Sequence, residues 1–476
     1  MYSGPQEPSF LQAASLYHPS TVEASLKHDG SGVEPGIKDL EGNWDLRPHA
    51  SRIVRVDAET LTSWHAVLET DGIPFAQTRM VYAVNRSTAE VLDKLSRAPR
   101  VGLLGLQFSR GWDESIDRKK GHFDSEWGVP KSWDSVILQG PHLFVGTPAY
   151  KRPNPSMLNH LDWTEVDLET LPSGSIPATS YKPRGDRSTY DAAYTQWALE
   201  SDGSVTPARR FYRLAWRNMA ANTGERTFIP ALIPPGTAHI HGVSSVGLPG
   251  DDPRLVAVAA FATSLIHDFA VRIAPKSTIS AATLDRLPFL DDPVIRPLIL
   301  LRSLRLNALT TAYSDLWTAC FYESFVDDSW TDTGLNYPGR PALGAVTADW
   351  TARVPLRRAS DRRQALLEVD ALVAIALGVD SDELIAIYRT QFPVLHGYDR
   401  KVSHFDRLGR QVPASVMSKR RQDGTDEATA YEWNHPGSGA RYEFVPPFEL
   451  LDREADLLLA YSQLQERVAA RRENSA

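Results

Sequence analysis

The segment PRLVAVAAFATSLIHDFAVRIA (253–274) carries apolar residues on nearly every face of a helix. A surface helix shows one apolar stripe, whereas a helix that is apolar all round has to be enclosed by protein. The rest of the chain must therefore supply a shell for this segment. No uninterrupted run of about 18 or more apolar residues occurs, so no membrane span is expected.

The shell is legible in outline. IRPLILLRSLRLNALTTAYSDLWTACFYESF (295–325) reads as a second long helical region, with Arg296, Arg302 and Arg305 inside it. RRQALLEVDALVAIALGVDSDELIAIYRTQFPVL (362–395) reads as a helix stopped by Gly378, then a second helix capped at Ser381 and ended by Pro393. DREADLLLAYSQLQERVAARR (452–472) has the spacing of a terminal amphipathic helix. Upstream, SRIVRVD (51–57) alternates like a strand, AETLTSWHAVLE (58–69) is a helix capped by Asp57, and STAEVLDKLSRAP (87–99) is a helix closed by proline. Residues 1–40 read as an extended or loosely packed lead-in, and 396–447 as polar and irregular with a basic run at Lys419, Arg420 and Arg421. The expected class is α+β: lead-in 1–40, a mixed, β-containing region 41–250, a helical region 251–395, and an irregular segment with a terminal helix 396–476.

Charge and cysteine usage narrow the chemistry. The chain has 476 residues and a formal charge of −8, which gives no global attraction for nucleic acid. A local basic patch can still act, because surface fields are screened within about 8–10 Å. The single cysteine, Cys320, sits in the apolar context WTACFY and reads as a buried small hydrophobe. One thiol builds neither a disulfide framework nor a cysteine-based zinc site, which fits a reducing cytoplasm. The N-terminus MYSGPQEPSFLQ lacks the pattern of a secretory signal.

One stretch stands out against the acidic background: RRFYRLAWRNMAANTGERTFIPALIPPGTAHIHGV (209–243). Arg213 and Arg217 lie four residues beyond Arg209 and Arg213, so strand or helix geometry places all three on nearly one face. Tyr212, Leu214 and Trp216 would occupy the other face of a strand. Asn222-Thr223-Gly224 reads as a turn, 226–233 as a strand and Pro234-Pro235-Gly236 as a second turn. Arg209, Arg210, Arg213, Arg217, Arg226 and Thr227 are candidate DNA contacts, joined by His239 and His241, which a strand would present on one side. The row suits two roles. It can lie against phosphates and base edges, or it can pair with acidic residues inside the protein and stack on Trp216. Two histidines without neighbouring carboxylates or cysteines make no metal site.

The same stretch resembles the target-recognition region of large adenine-specific DNA methyltransferases, including fused restriction-modification enzymes and phage-defence methylases. Those proteins carry a pattern like YRLAWR-x-x-A-x-x-T-x-ERT-x-I-x-A-x-IPPG, matched here by Tyr212 to Arg217, Ala220, Thr223, Glu225-Arg226-Thr227, Ile229, Ala231 and Ile233 to Gly236. ILQGPHLFVGTPAYKRPN (137–154), LIHDFAVRIA followed by ISAATLDRLPFL (279–290), and LLEVDALVAIALGVDSDELIAIYRTQFPV (366–394) are similar to flanking parts of the family. The resemblance spans roughly 40–460 and implies a target-recognition domain followed by a mostly helical C-terminal region.

The family's catalytic signatures are missing from these residues. No strand followed by F-x-G-x-G is present to hold S-adenosylmethionine, and no Walker loop occurs. The nearest relative of Asn-Pro-Pro-Tyr is Thr147-Pro148-Ala149-Tyr150, which lacks both the amide and the second proline and reads as unrelated. Asp113, Glu114, Lys119 and Lys120 read as a solvated turn rather than a nuclease centre. The resemblance thus implies a module that reads double-stranded DNA, with no catalytic residue or cofactor of its own. A separate methyltransferase chain would supply S-adenosylmethionine and catalysis. Two alternatives stay open: a complete but divergent adenine methyltransferase, and a scaffold subunit of a defence complex that does not read bases.

Overall fold

A computed structural model describes residues 7–15, 18–69, 72–199, 203–274, 277–424 and 429–474. Its centre is a four-stranded antiparallel sheet in the order Pro230–Ile233, Arg213–Arg217, Val243–Gly247, Gln107–Ser109. Leu214 lies between Leu232 on one neighbour and Val246 on the other. The strand Arg213–Arg217 is covered on both faces. Leu214 and Trp216 enter the main core, while Ala215 packs with Leu138, Ala231, Ile233 and Val243 in a second cluster. Asn222–Gly224 forms the expected turn region, but the following strand is confined to Pro230–Ile233, because 226–228 are tied to a helix instead.

The apolar segment is buried as its composition requires, yet it is two helices, Asp252–Thr263 and Leu265–Arg272, bent by 64° at Ser264. Ser264 caps the second helix, its hydroxyl accepting from the His267 amide. The bend frees backbone groups in the interior, and charged side chains satisfy them. Arg226 donates to the carbonyls of Thr263 and Ser264, and Asp370 accepts from the Leu265 amide at 2.7 Å. No helix among the described residues is long and apolar enough to cross a membrane by itself.

The mixed α+β class holds, with small antiparallel sheets and helices gathered in the second half. Helix Ile295–Asn307 is buried along most of its length and stops well short of 325. Arg302 is neutralised inside by Glu368 and Asp328, each at 2.6 Å. Helix Ala359–Leu377 ends at Gly378 in a left-handed conformation, and the next helix, Ser381–Gln391, is capped by Asp380 rather than Ser381. Asp380 and Glu383 form a reciprocal capping box, a pairing that Ser381 would place one residue out of step. Pro393 opens a further helix, Pro393–Lys401.

Three expected features near the N-terminus stand as Ile53–Asp57, Ala58–Leu68 and Arg86–Arg97, with Asp57 capping the second. The lead-in is more ordered than its composition suggests. Ser9–Ala13 pairs antiparallel with Ile53–Asp57, and Pro19–Leu26 is a helix. Residues 396–447 also hold more structure than expected: helix Ala414–Asp423 and the hairpin Tyr431–Asn434 with Arg441–Phe444, around Val412, Val416, Tyr431 and Phe444. The terminal helix Arg453–Glu473 lays Leu457, Ala460, Tyr461, Leu464 and Val468 into the main core. That core runs from Val54 to Val468 and includes Trp216 beside Leu255 and Phe261, so the sheet and the helical region share one interior.

Candidate functional site

The arginine row lies inside the protein. Arg209 is fully buried, with Nη1 2.5 Å from Asp191 Oδ1, Nη2 on the carbonyls of Asp134 and Gly236, and its guanidinium 5.1 Å from the Tyr190 ring centre. The Gly236 amide in turn donates to the Arg209 carbonyl at 2.6 Å. The Pro-Pro-Gly turn therefore follows the arginines because one receives the other. Arg213 is also fully buried. It donates to the Thr237 carbonyl and to Tyr194 Oη, has no carboxylate partner among the described residues, and is pushed down in pKa by desolvation. Arg217, half-buried, donates to the carbonyls of Gly140 and Leu143.

Arg226 and Thr227 are built into the helix break. Arg226 Nε lies 2.7 Å from Asp268 Oδ2, and the Thr227 and Phe228 amides donate to the same carboxylate. His239 is fully buried, with Nε2 2.8 Å from Ser245 Oγ; burial, then the nearby Arg213 charge, push its pKa down to about 3. His241 is exposed, so the two histidines do not share a side. Chain direction changes just past His239, where the strand Ala238–His239 ends. Arg210 keeps a side chain 42% exposed but sits 2.5 Å from Asp191.

These placements correct the expected contact surface. Arg209, Arg213, Arg226, Thr227 and His239 are buried, and Arg217 is occupied by backbone carbonyls. Of the eight candidates, Arg210 and His241 alone are exposed. The internal role won because the strand has no solvent face. Its basic side meets the loop 134–143 and the turn 234–237, whose carbonyls accept guanidinium protons.

One residue of the matched pattern escapes this use. Glu225, beside the buried Arg226, lines a cleft of about 800 Å³. Among the described residues its carboxylate has no hydrogen-bond partner, and burial raises its pKa. The wall around it includes Tyr150, whose Oη is 3.2 Å from Glu165 Oε1, and Phe144, whose ring centre is 4.8 Å from that of Tyr150. Trp433 and Tyr442 come from the C-terminal hairpin. Thr147-Pro148-Ala149-Tyr150, unrelated to the catalytic tetrapeptide in sequence, contributes Thr147, Ala149 and Tyr150 to this wall.

Arg357, Arg362 and Arg363, half of the arginines lining the cleft, come from the helix Ala359–Leu377 and the residues leading into it. Arg362 Nη2 donates to Thr147 Oγ1 at 2.6 Å and to the Gly146 carbonyl, while Nη1 takes the carbonyls of Leu306 and Leu356. Among the described residues no carboxylate pairs with it, and desolvation pushes its pKa down to about 9. Among the described residues Arg357 likewise donates only to carbonyls, those of Leu168, Leu171 and Leu309. Arg363 pairs with Asp456 at 2.6 Å and leaves Nε buried without a partner. Most carboxylates of the cleft are engaged: Asp167 by Tyr442 and Ser438, Glu169 by Arg410, Asp399 by Arg453. Sequence reasoning missed Glu225 and Arg362. The only available signal was that Glu225 falls within the matched ERT triplet; the cleft itself is assembled from segments some 200 residues apart.

Cys320 is buried, as its context predicts, and burial raises its pKa. No family model matches the chain, and no curated protein matches it.

Proposed function

We propose that the chain is the nucleic-acid recognition part of an adenine-specific DNA methyltransferase or of a related restriction-modification or phage-defence system. It engages DNA at the Glu225 cleft, and the methyl-transfer machinery is supplied by a separate catalytic chain that holds S-adenosylmethionine. One observation carries this reading: a cleft to which the matched stretch contributes Glu225 and Arg226 also holds Arg357 and Arg362, without a carboxylate partner among the described residues, and several aromatic rings. Arginine charge suits phosphates, and exposed ring faces suit unstacked bases. The buried arginines take the role of scaffold, so the matched pattern is a signature of fold more than of contact, and function has to be argued from the cleft.

The test is binding of labelled duplex and single-stranded DNA to the intact chain at low ionic strength. Ala149→Glu places a negative charge in the cleft and is expected to weaken binding at least about tenfold, by adding like charge where phosphate is held. Full affinity in that variant contradicts engagement at the cleft. Burial of most expected contacts favours a second reading, a scaffold subunit that never touches bases. It predicts no DNA binding at any salt concentration.

A further inference from the structure

The cleft sets Glu225 in the same space as Arg357 and Arg362 without an ion pair between them. Among the described residues Arg357 and Arg362 have no carboxylate partner and Glu225 has no hydrogen-bond donor, although the charges of Arg226 and Arg453 act on it, and all three line the same space. Arg362 is buried and Arg357 and Glu225 are half-buried, so all three are partly stripped of water, and a ligand of complementary charge is favoured beside them. A ligand that complements these groups carries both an anion and a hydrogen-bond donor. The rings of Phe144, Tyr150 and Trp433 require a flat body between. A cleft of about 800 Å³ is within the range of small-molecule sites and is roomy for a nucleotide.

We propose that this cleft is a binding site for a single unstacked nucleotide bearing an exocyclic amine. The base lies against the aromatic wall and donates its amine to Glu225, and its phosphate faces Arg357 and Arg362. The amine selects adenine, cytosine or guanine over uracil and thymine, because a carboxylate accepts hydrogen bonds and a carbonyl in the amine's place offers none. Arg362 acts through its charge, since its four Nη protons are already committed to protein oxygens. The inference rests on the nucleic-acid reading of the cleft but fails separately from it, because its probes are free mononucleotides.

The experiment is calorimetric titration of the intact chain, and of Glu225→Gln, with AMP, CMP, UMP, inorganic phosphate and methionine. AMP and CMP are expected to bind at least about tenfold more tightly than UMP, the discrimination of one buried hydrogen-bonding group. Phosphate and methionine are expected to bind more weakly than AMP. In Glu225→Gln the preference for AMP and CMP over UMP should collapse, because an amide both donates and accepts. Equal binding of AMP and UMP by the unmodified chain overturns the proposal, as does phosphate or methionine matching AMP, or no nucleotide binding at all. Retained discrimination in Glu225→Gln also overturns the assigned role of Glu225. A chain that binds duplex DNA but no mononucleotide loses this inference alone; one that binds AMP but no DNA loses the recognition function alone.

Discussion

Arg226 Nε lies 2.7 Å from Asp268 Oδ2, with both side chains almost wholly out of water, at the point where the apolar helix breaks. Arg226 also closes the carbonyls of Thr263 and Ser264. Removing one partner of a buried pair leaves the other charge uncompensated, at a cost of about 3–5 kcal/mol. Arg226→Met should lower stability by about that much in urea denaturation. Adding Asp268→Leu should recover part of the loss, though the Thr227 and Phe228 amides then lose their acceptor. A single variant with unchanged urea midpoint would refute the structural role of the pair.

Gly236 has φ +85, and an added Cβ would lie 2.8 Å from Asp134 Oδ1 and 3.0 Å from its amide nitrogen. Left-handed backbone at a residue with a side chain costs about 1–3 kcal/mol even where space allows. Gly236→Ala should therefore lower the thermal midpoint and disturb the Arg209 pocket that the turn closes. A midpoint equal to that of the unmodified chain would show that the turn relaxes freely.

Buried His142, His239 and His267 oppose acidification. Desolvation pushes His142 and His267 down to about 4 and His239 to about 3. Their folded values lie below the unfolded value of about 6.5, so the stability they contribute is present above pH about 6.5 and lost as pH falls towards 4. Urea midpoints should drop from pH 7 to pH 5. A midpoint that is flat or rises on acidification would contradict the buried neutral imidazoles.

Asp370 has the opposite sign. Burial raises its pKa to about 6 despite the neighbouring Arg226. A carboxyl raised on folding contributes stability below its unfolded value of about 4 and loses it as pH rises through about 6. Asp370→Asn keeps an acceptor for the Leu265 amide and removes this loss, so stability at pH 8 should rise by about 1–3 kcal/mol. Denaturation at pH 8 checks it; a drop in stability would show that the charge is needed beside Arg226 and Arg453.

Apolar coverage made the burial of 253–274 legible, and caps and glycine made the helix boundary at Gly378 and the start of Ala58–Leu68 legible. The break at Ser264 was not, because serine within an apolar run is compatible with a continuous helix until distant Arg226 and Asp370 satisfy the freed backbone. The arginine row misled for a related reason. A charged side chain reads as solvent-facing because desolvation is costly. Here loop carbonyls from 134–143 and 234–237 offset that cost, and such loops leave no periodic trace. Of the two geometries open to the row, the strand is the one formed, with Arg213 and Arg217 opposite Leu214 and Trp216. The second covering layer was not visible. The cleft escaped notice because Glu225, Tyr150, Arg362 and Trp433 meet only through the tertiary fold.

The most direct test of whether the arginine stretch is scaffold or contact surface is Arg209→Met, a residue outside the cleft. Its urea midpoint and its DNA affinity would be measured on the same preparation. A buried guanidinium tied to Asp191, Asp134 and Gly236 predicts a loss of about 3–5 kcal/mol in stability, with DNA affinity of the folded protein unchanged. Unchanged stability together with lost affinity would put Arg209 on the DNA and contradict the scaffold role.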